Sequence, residues 1–187
     1  RESAFYGCYN AALTSLTLPE NLVKMEVNAF GNCYKVLTVT VLAVSSDIDF
    51  ATAAFGTTAA TPVYYVTDLY LSKDVHSFDI TGVFGSLKLA NVVVDEANPY
   101  YTAVDGVLYD KNITKVVYYP TEREGEYTLP STITEIGARV FQAKNGITSI
   151  TIGKNVELIG EGAFQSCTKL TELIFEEGGT KPLVIAK

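Results

Sequence analysis

One stretch decides the fold of this chain, and it reads Ile147-Thr-Ser-Ile150-Thr-Ile152-Gly-Lys-Asn-Val156-Glu-Leu-Ile159-Gly-Glu-Gly-Ala163-Phe164-Gln-Ser-Cys167. An earlier stretch follows the same pattern, from Leu13-Thr-Ser-Leu16-Thr-Leu18 through Leu22 and Met25 to Ala29-Phe30-Gly-Asn-Cys33. Each unit opens with three spaced apolar residues, continues with two more, and closes with Ala-Phe-x-x-Cys. A unit with one apolar face cannot bury that face alone, so its repetition predicts stacked coils.

The opening segment of this unit recurs along the chain at a nearly constant period. If its middle residue is taken as an anchor, successive anchors are separated by 23, 30, 23, 24, 34 and 23 residues. The two long steps are interpreted as a standard step plus a loop insertion. We therefore predict about seven coils of about 23 residues, with the anchors on neighbouring strands of a parallel front sheet. The anchors are Leu16, Val39, Leu69, Val92, Val116, Ile150 and Leu173.

A second set of residues supports this register. Phenylalanine recurs at Phe5, Phe30, Phe55, Phe84, Phe141 and Phe164. All three cysteines lie three residues after one of these phenylalanines. Side chains three apart share one face of a helical turn, which predicts a short helical turn in each coil, for example at residues 29–33. The rings are expected to form a column that carries much of the packing.

One coil departs from the pattern. Asp105 and Gly106 lie between apolar residues, which is typical of a β-hairpin turn, so we predict a hairpin in place of the helical turn. The charged residues 121–126 are interpreted as a loop that accounts for the 34-residue step. Gly137 and Gly160 follow isoleucine at matching positions, which predicts backbone with positive φ at both.

Composition limits the class of protein. Apolar residues make up 48% of the 187 residues, which is incompatible with disorder, and no apolar run is long enough to cross a bilayer. A net charge of −7 argues against nucleic acid and anionic membranes as partners. The uninterrupted repeat predicts a single domain over residues 1–187. Because both ends cut into a repeat unit, we expect the chain to be a piece of a longer protein.

The pattern L-x-x-[LIV]-x-[LIV]-P, then [LV]-x-x-[IM], then A-F-x-x-C-x-x-L resembles the BspA-like leucine-rich-repeat family. The match is clearest in residues 13–41 and 147–175, and residues 101–118 resemble the family's variant repeat, whereas residues 44–62 and 81–89 depart from it. The resemblance implies a right-handed, β-rich (α/β-type) leucine-rich-repeat solenoid. It also implies a secreted or cell-surface protein that adheres to a host matrix or plasma protein and has no catalytic motif.

The cysteines and the single histidine are the residue types most often found in disulfides, metal sites and catalytic sites. The shared repeat position predicts that each cysteine is free and fills a small inward slot, although Cys8 and Cys33 could approach disulfide distance. No C-x-x-C or H-x-x-x-H spacing exists, and residues 45–49 lack the EF-hand spacing, so we expect no metal site and no cofactor. His76 is interpreted as a lone surface histidine, and Glu122, Glu124 and Glu126 as a solvated charge run.

The remaining candidate is the outward face of the front strands. Its residues form two rows, first Ser15, Thr38, Asp68, Asn91, Ser149 and Glu172, then Thr17, Thr40, Tyr70, Val93, Thr151 and Ile174. Exposed aromatic and apolar side chains among Thr and Ser indicate an interface. The candidate ligand contacts are Asp68, Tyr70, Asn91, Val93, Glu172 and Ile174.

These residues predict a non-enzymatic module that binds a protein. Two alternatives stay open within the same fold. One is a carbohydrate-binding module with Tyr70 or Tyr64 as a stacking platform, and the other is a stalk. An enzyme that uses Asp or Glu on this face is the less favoured class.

Overall fold

A computed structural model of the chain describes residues 4–8, 12–33, 35–42, 49–50, 54–55, 66–76 and 89–187. The chain divides into two compact units, residues 1–100 and residues 101–187, which are described separately below. All regular elements of the described residues are β-strands. The single domain over residues 1–187 stays a prediction.

The first unit is built on a four-stranded parallel sheet. Its order is β1-β3-β5-β6, and a separate parallel pair joins β2 to β4. The register aligns Leu16 with Val39, Val39 with Leu69, and Leu69 with Val92, which confirms the prediction for these four anchors. The strands are β1 (Ser15–Leu18), β2 (Lys24–Met25), β3 (Thr38–Val41), β4 (Asp49–Phe50), β5 (Asp68–Leu71) and β6 (Asn91–Val94).

Buried and more exposed side chains alternate along the strands, which shows which face of the sheet lies against the core. In β3, Val39 and Val41 are fully buried while the two threonines are half-buried on the other face. In the same unit, the rings of Phe5, Phe30 and Phe55 stack, with centroids 4.8 and 5.8 Å apart. The phenylalanine column is therefore confirmed here, and Phe84 lies outside the described residues.

The second unit contains two sheets. The three-stranded sheet is parallel, with order β10-β12-β14, and the six-stranded sheet has order β15-β13-β11-β9-β8-β7. Ile150 of β12 lies beside Leu173 of β14, as predicted. The strands are β7 (Tyr101–Val104), β8 (Val107–Asp110), β9 (Lys115–Tyr118), β10 (Gly125–Thr128), β11 (Glu135–Ile136), β12 (Ile147–Ile152), β13 (Leu158–Ile159), β14 (Glu172–Phe175) and β15 (Val184–Ile185).

The prediction that Val116 lies in the same parallel sheet as Ile150 was wrong. Val116 lies in the six-stranded sheet, beside Ile136 of β11, and the residue next to Ile150 in the three-stranded sheet is Tyr127 of β10. An alternating apolar pattern fixes which side chains point inward but not which sheet the strand joins. The predicted charged loop is also shorter than expected, because β10 begins at Gly125.

The predicted hairpin is present. Strands β7 and β8 are antiparallel, and Asp105 and Gly106 between them have φ of 49° and 77°. A two-residue turn of type I′ needs positive φ at both central residues, and Asp-Gly is a preferred sequence for it. Strand β9 then pairs antiparallel with β8.

The predicted helical turns are absent from the described residues. The residues two before and two after Phe30, Phe141 and Phe164 adopt positive φ, as Asn28 and Asn32 do around Phe30. A left-handed residue interrupts a right-handed helix. Instead, the backbone N–H of the phenylalanine donates a hydrogen bond to the next coil, as Phe30 N does to Ala54 O at 3.0 Å.

The prediction of positive φ at two glycines was also wrong. Neither Gly137 nor Gly160 has positive φ. Space is the constraint, because a Cβ at Gly137 would lie 2.9 Å from the Val116 carbonyl oxygen and one at Gly160 would lie 2.5 Å from the Ala138 nitrogen. Both glycines allow neighbouring coils to approach closely.

Candidate functional site

The outward face of the four-stranded sheet brings four of the six candidate contacts together. The register places Asp68 beside Asn91 and Tyr70 beside Val93 on the adjacent strands β5 and β6. We call these four residues the front patch. They continue the rows of Ser and Thr on β1 and β3, as the register of those strands shows.

Tyr70 and Val93 form the apolar half of the front patch. Their exposed fractions are 40% and 37%, whereas Leu69 and Leu71, which flank Tyr70 in β5, are buried. Neighbouring strands in a sheet lie about 4.8 Å apart, so the two side chains present one continuous apolar surface. The solvent-facing residues of β1 and β3 are all Ser or Thr, so the patch interrupts an otherwise polar face.

Asp68 and Asn91 form the polar half of the front patch. The Asn91 amide lies 3.4 Å from Asp68 Oδ1, and the Thr67 hydroxyl donates to Asp68 Oδ2 at 2.7 Å. These bonds orient the carboxylate, and both residues are half-buried. The arrangement offers oriented acceptors next to an apolar pair, which suits recognition of a protein surface or a sugar.

The other two candidate contacts, Glu172 and Ile174, lie on β14 of the second unit, in a different sheet. Glu172 is beside Ser149, whose hydroxyl is 3.5 Å from its Oε2, and Ile174 is beside Thr151. Sequence reasoning missed Glu126 and Thr128, which continue these rows on β10. The available signal was Tyr127, which precedes Ile150 by the standard 23 residues.

Strand β14 is an edge strand, and its apolar residues are exposed on both faces. Leu173, Ile174 and Phe175 have exposed fractions of 39–45%. Leu173 was expected to point inward, and its register with Ile150 agrees with that expectation, but no further strand covers it in this sheet. Ile174 therefore does not stand out from its neighbours as Tyr70 does.

The cysteines are free and half-buried, in line with their expected role as packing residues. Each of two thiols donates to the carbonyl of the phenylalanine in the preceding coil, from Cys33 to Phe5 at 3.1 Å and from Cys167 to Phe141 at 2.8 Å. Burial raises the pKa of both thiols. A raised pKa lowers the thiolate fraction at neutral pH, so these two thiols are expected to react more slowly than unperturbed ones.

His76 lies at a shallow surface depression lined by Lys73, Asp74 and Tyr100. Its ring packs against Tyr100 with centroids 5.2 Å apart, and its Nδ1 is 3.1 Å from the Asp74 carbonyl oxygen. Over the part of the chain that the structure describes, no group of three or more His, Cys, Asp or Glu side chains could hold a metal ion. The described residues likewise contain no helix that could span a membrane.

Lys144 is a buried charged residue that sequence reasoning missed. Only 2% of it is exposed, its ammonium lies 4.6 Å from the centroid of the Tyr118 ring, and it donates to the Thr121 hydroxyl at 2.8 Å. Burial lowers the pKa of Lys144 to about 8. It occupies the position three residues after Phe141, where three of the other five phenylalanines of the column are followed by cysteine, and that spacing was the available signal.

Comparisons with known proteins give the family and the fold. The BspA type leucine rich repeat region matches residues 1–96 and 111–181, in six copies. A search of curated proteins found no match.

Three solved structures are similar to this chain. Pneumococcal vaccine antigen PcpA is 20% identical, with a TM-score of 0.57 over 86% of this chain and 50% of that one. A leucine rich cell surface protein from Faecalibacterium prausnitzii is 23% identical, with a TM-score of 0.55 over 93% and 44% of the two chains. A leucine-rich repeat protein from Eubacterium ventriosum is 22% identical, with a TM-score of 0.51 over 93% and 63%.

The chain thus spans about half the length of the first two of these structures. At these identities the likeness shows the fold, a leucine-rich-repeat solenoid. The family match covers most of the chain and agrees with the resemblance carried by the repeat motifs. The chain belongs to the BspA-type leucine-rich-repeat family.

Proposed function

We propose that this chain is a non-enzymatic binding module of a secreted or cell-surface protein, and that it recognises a host matrix or plasma protein through the front patch. The single observation that carries the proposal is the adjacent exposure of Tyr70 and Val93 on a sheet face whose other outward residues are polar: Ser and Thr on β1 and β3, and Asp68 and Asn91. Repeat solenoids offer long faces of regular curvature, and proteins commonly use such faces for binding.

Energetic reasoning supports a protein as the partner. Tyrosine is enriched at the hot spots of interfaces because it buries a large ring and keeps a hydroxyl for a hydrogen bond. Val93 extends the apolar surface, and Asp68 with Asn91 supplies a polar border. A net charge of −7 favours partners with a basic surface.

The solved structures support a location outside the cell. One is described as a vaccine antigen and another as a cell surface protein. Both are similar to this chain in fold, so location at the cell surface is part of the proposal.

The test is a solid-phase binding assay with biotinylated plasma proteins and solubilised matrix proteins as probes. Val93→Glu should reduce binding at least about tenfold, because it places a charge in the centre of the contact. Val23→Glu is the matched control, because Val23 is 64% exposed and lies outside the four-stranded sheet. Equal binding by wild type and Val93→Glu, with both folded by circular dichroism, would contradict the proposal.

A carbohydrate is the second candidate ligand, favoured by the position of the Tyr70 ring next to the carboxylate of Asp68 and the amide of Asn91. Sugars stack on aromatic faces and hydrogen-bond to such groups. Binding to soluble glycans that Tyr70→Ala abolishes would favour this ligand over a protein. Tyr64, the other predicted platform, lies outside the described residues. A stalk would be favoured if no surface variant changed binding to any probe.

A further inference from the structure

Cys8 and Cys33 occupy the same place in two neighbouring coils of the first unit. Each follows a phenylalanine by three residues, and the two phenylalanine rings stack with centroids 4.8 Å apart and planes within 7°. Two backbone hydrogen bonds of 2.8 and 2.9 Å join the turns that carry these rings. The alignment therefore extends from the rings to the cysteines.

Cys33 also contacts the turn that carries Cys8. Its thiol donates to the Phe5 carbonyl oxygen at 3.1 Å, three residues before Cys8 in the sequence. Neighbouring parallel segments lie about 4.8 Å apart, and disulfides join residues whose Cα atoms are about 4.4–6.8 Å apart. Both side chains are half-buried, so a small reagent can reach them.

The turn that carries Cys8 has the weakest support of the described phenylalanine turns. Phe5 and Tyr6 within it have exposed fractions of 54% and 40%, whereas Phe30 in the next coil is buried. A covalent bond between these two turns would hold residues 4–8 against the neighbouring coil, because it removes conformational freedom from the opened state.

We propose that Cys8 and Cys33 form a reversible intramolecular disulfide that joins the turn at residues 4–8 to the neighbouring coil. The proposal is independent of the binding function. The oxidant is a low-molecular-weight disulfide such as glutathione disulfide.

The reaction is two successive thiol–disulfide exchanges. One cysteine loses its proton to solvent, and its thiolate attacks a sulfur of the reagent, which forms a mixed disulfide and releases one glutathione thiolate. The thiolate of the other cysteine then attacks the protein sulfur of that mixed disulfide and releases the second glutathione. The two cysteines lose two electrons in total, and the reagent gains them as two thiols that take up the two protons.

Cys167 provides an internal control. The equivalent position in the preceding coil is Lys144, so no thiol stands beside Cys167 at that position. Its own thiol donates to the Phe141 carbonyl oxygen at 2.8 Å. Cys167 is therefore expected to stop at the mixed disulfide or to remain a thiol.

The experiment incubates the folded chain in a series of glutathione redox buffers, quenches with acid, alkylates free thiols and digests without reduction. Cleavage after Lys24 separates Cys8 from Cys33, so a disulfide between them joins two tryptic peptides. The expected result is that linked pair, lost on addition of dithiothreitol, with Cys167 alkylated or glutathionylated. Cys167→Ser should leave the linked pair unchanged.

Two further samples make the result decisive. Cys8→Ser should leave Cys33 without an intramolecular partner, as a mixed disulfide. The wild type oxidised in denaturant should give mixed pairings that include Cys167, so selectivity for the Cys8–Cys33 pair must come from the fold. Separate mixed disulfides at Cys8 and Cys33 in the folded wild type, or linked peptides that contain Cys167, would overturn the proposal.

Discussion

Lys144 shows how one residue can depart from the repeat within the core of a coil. Its ammonium group lies over the Tyr118 ring and donates to the Thr121 hydroxyl. Lowering the pKa from 10.5 to about 8 corresponds to an unfavourable free energy of about 3 kcal/mol for the charged form in the folded state. The aliphatic stem, by contrast, packs as an apolar side chain would.

We predict that Lys144→Met stabilises the protein by about 1–3 kcal/mol near neutral pH, because it removes a desolvated charge and keeps most of the volume. Urea unfolding of both proteins measures the difference. A loss of stability in Lys144→Met would show that the cation–π contact and the bond to Thr121 outweigh desolvation.

The same residue predicts a pH dependence. Between about pH 8 and the ordinary lysine pKa of 10.5, the unfolded chain holds a proton at Lys144 that the folded chain has lost, so wild-type stability rises with pH in this window. The stability gap between Lys144→Met and wild type should therefore narrow from pH 7 to pH 9.5. Burial raises the pKa of Tyr118 to about 12, so above pH 10 the unfolded tyrosine ionises first and the stability of both proteins falls with pH. The comparison is therefore made below pH 10. A gap that stays constant over the window contradicts the account.

The phenylalanine column gives a second prediction for single residues. Phe141 is fully buried between the Phe164 ring at 5.2 Å and the Tyr119 ring at 4.9 Å. Phe141→Ala should lower the free energy of unfolding by about 3–5 kcal/mol. The matched variant Phe5→Ala should have a much smaller effect, because Phe5 is 54% exposed. Equal effects in thermal denaturation would show that the column does not carry the packing.

Among the elements, the hairpin β7–β8 depends most on its turn. Gly106 is at φ 77°, where a side chain with a branched Cβ is strained. Gly106→Val should destabilise the second unit by about 1–2 kcal/mol or more. Asp105→Asn should be nearly neutral, because asparagine tolerates the left-handed conformation. Chemical denaturation of the two variants separates these outcomes, and an unchanged midpoint for Gly106→Val would rule out a type I′ turn.

The sequence predicted the elements well where spacing and turn chemistry act together. The repeated apolar segment, at steps of 23, 30 and 23 residues, identified the strands that carry Leu16, Val39, Leu69 and Val92, and Asp-Gly identified the hairpin. It failed at Val116, because hydrogen-bonding partners and not the apolar pattern decide which sheet a strand joins. It also failed at the helical turns, because residues such as Asn28 adopt positive φ and the amide groups of the phenylalanines donate to the neighbouring coil.

For the whole molecule, the front patch was predictable in part. Counting along the repeat placed Tyr70 beside Val93 and Asp68 beside Asn91, and the register agrees. Counting could not give exposure, which depends on the strands that cover each side chain. For that reason Ile174 was selected with Tyr70, although it lies on an edge strand whose apolar residues are all exposed. Glu126 and Thr128 were missed for a different reason, because the anchor of that coil was assigned to Val116 and not to Tyr127.

Hydroxyl-radical footprinting of the chain, alone and saturated with the protein that the binding assay identifies, tests the central claim most directly. Tyr70 and Val93 react with radicals when exposed, so we predict that bound partner reduces labelling of both at least about threefold, because interface cores exclude water. Val23, which is exposed outside the four-stranded sheet, should keep its labelling. Unchanged labelling at Tyr70 and Val93, with protection elsewhere, would show that the front patch is not the binding surface.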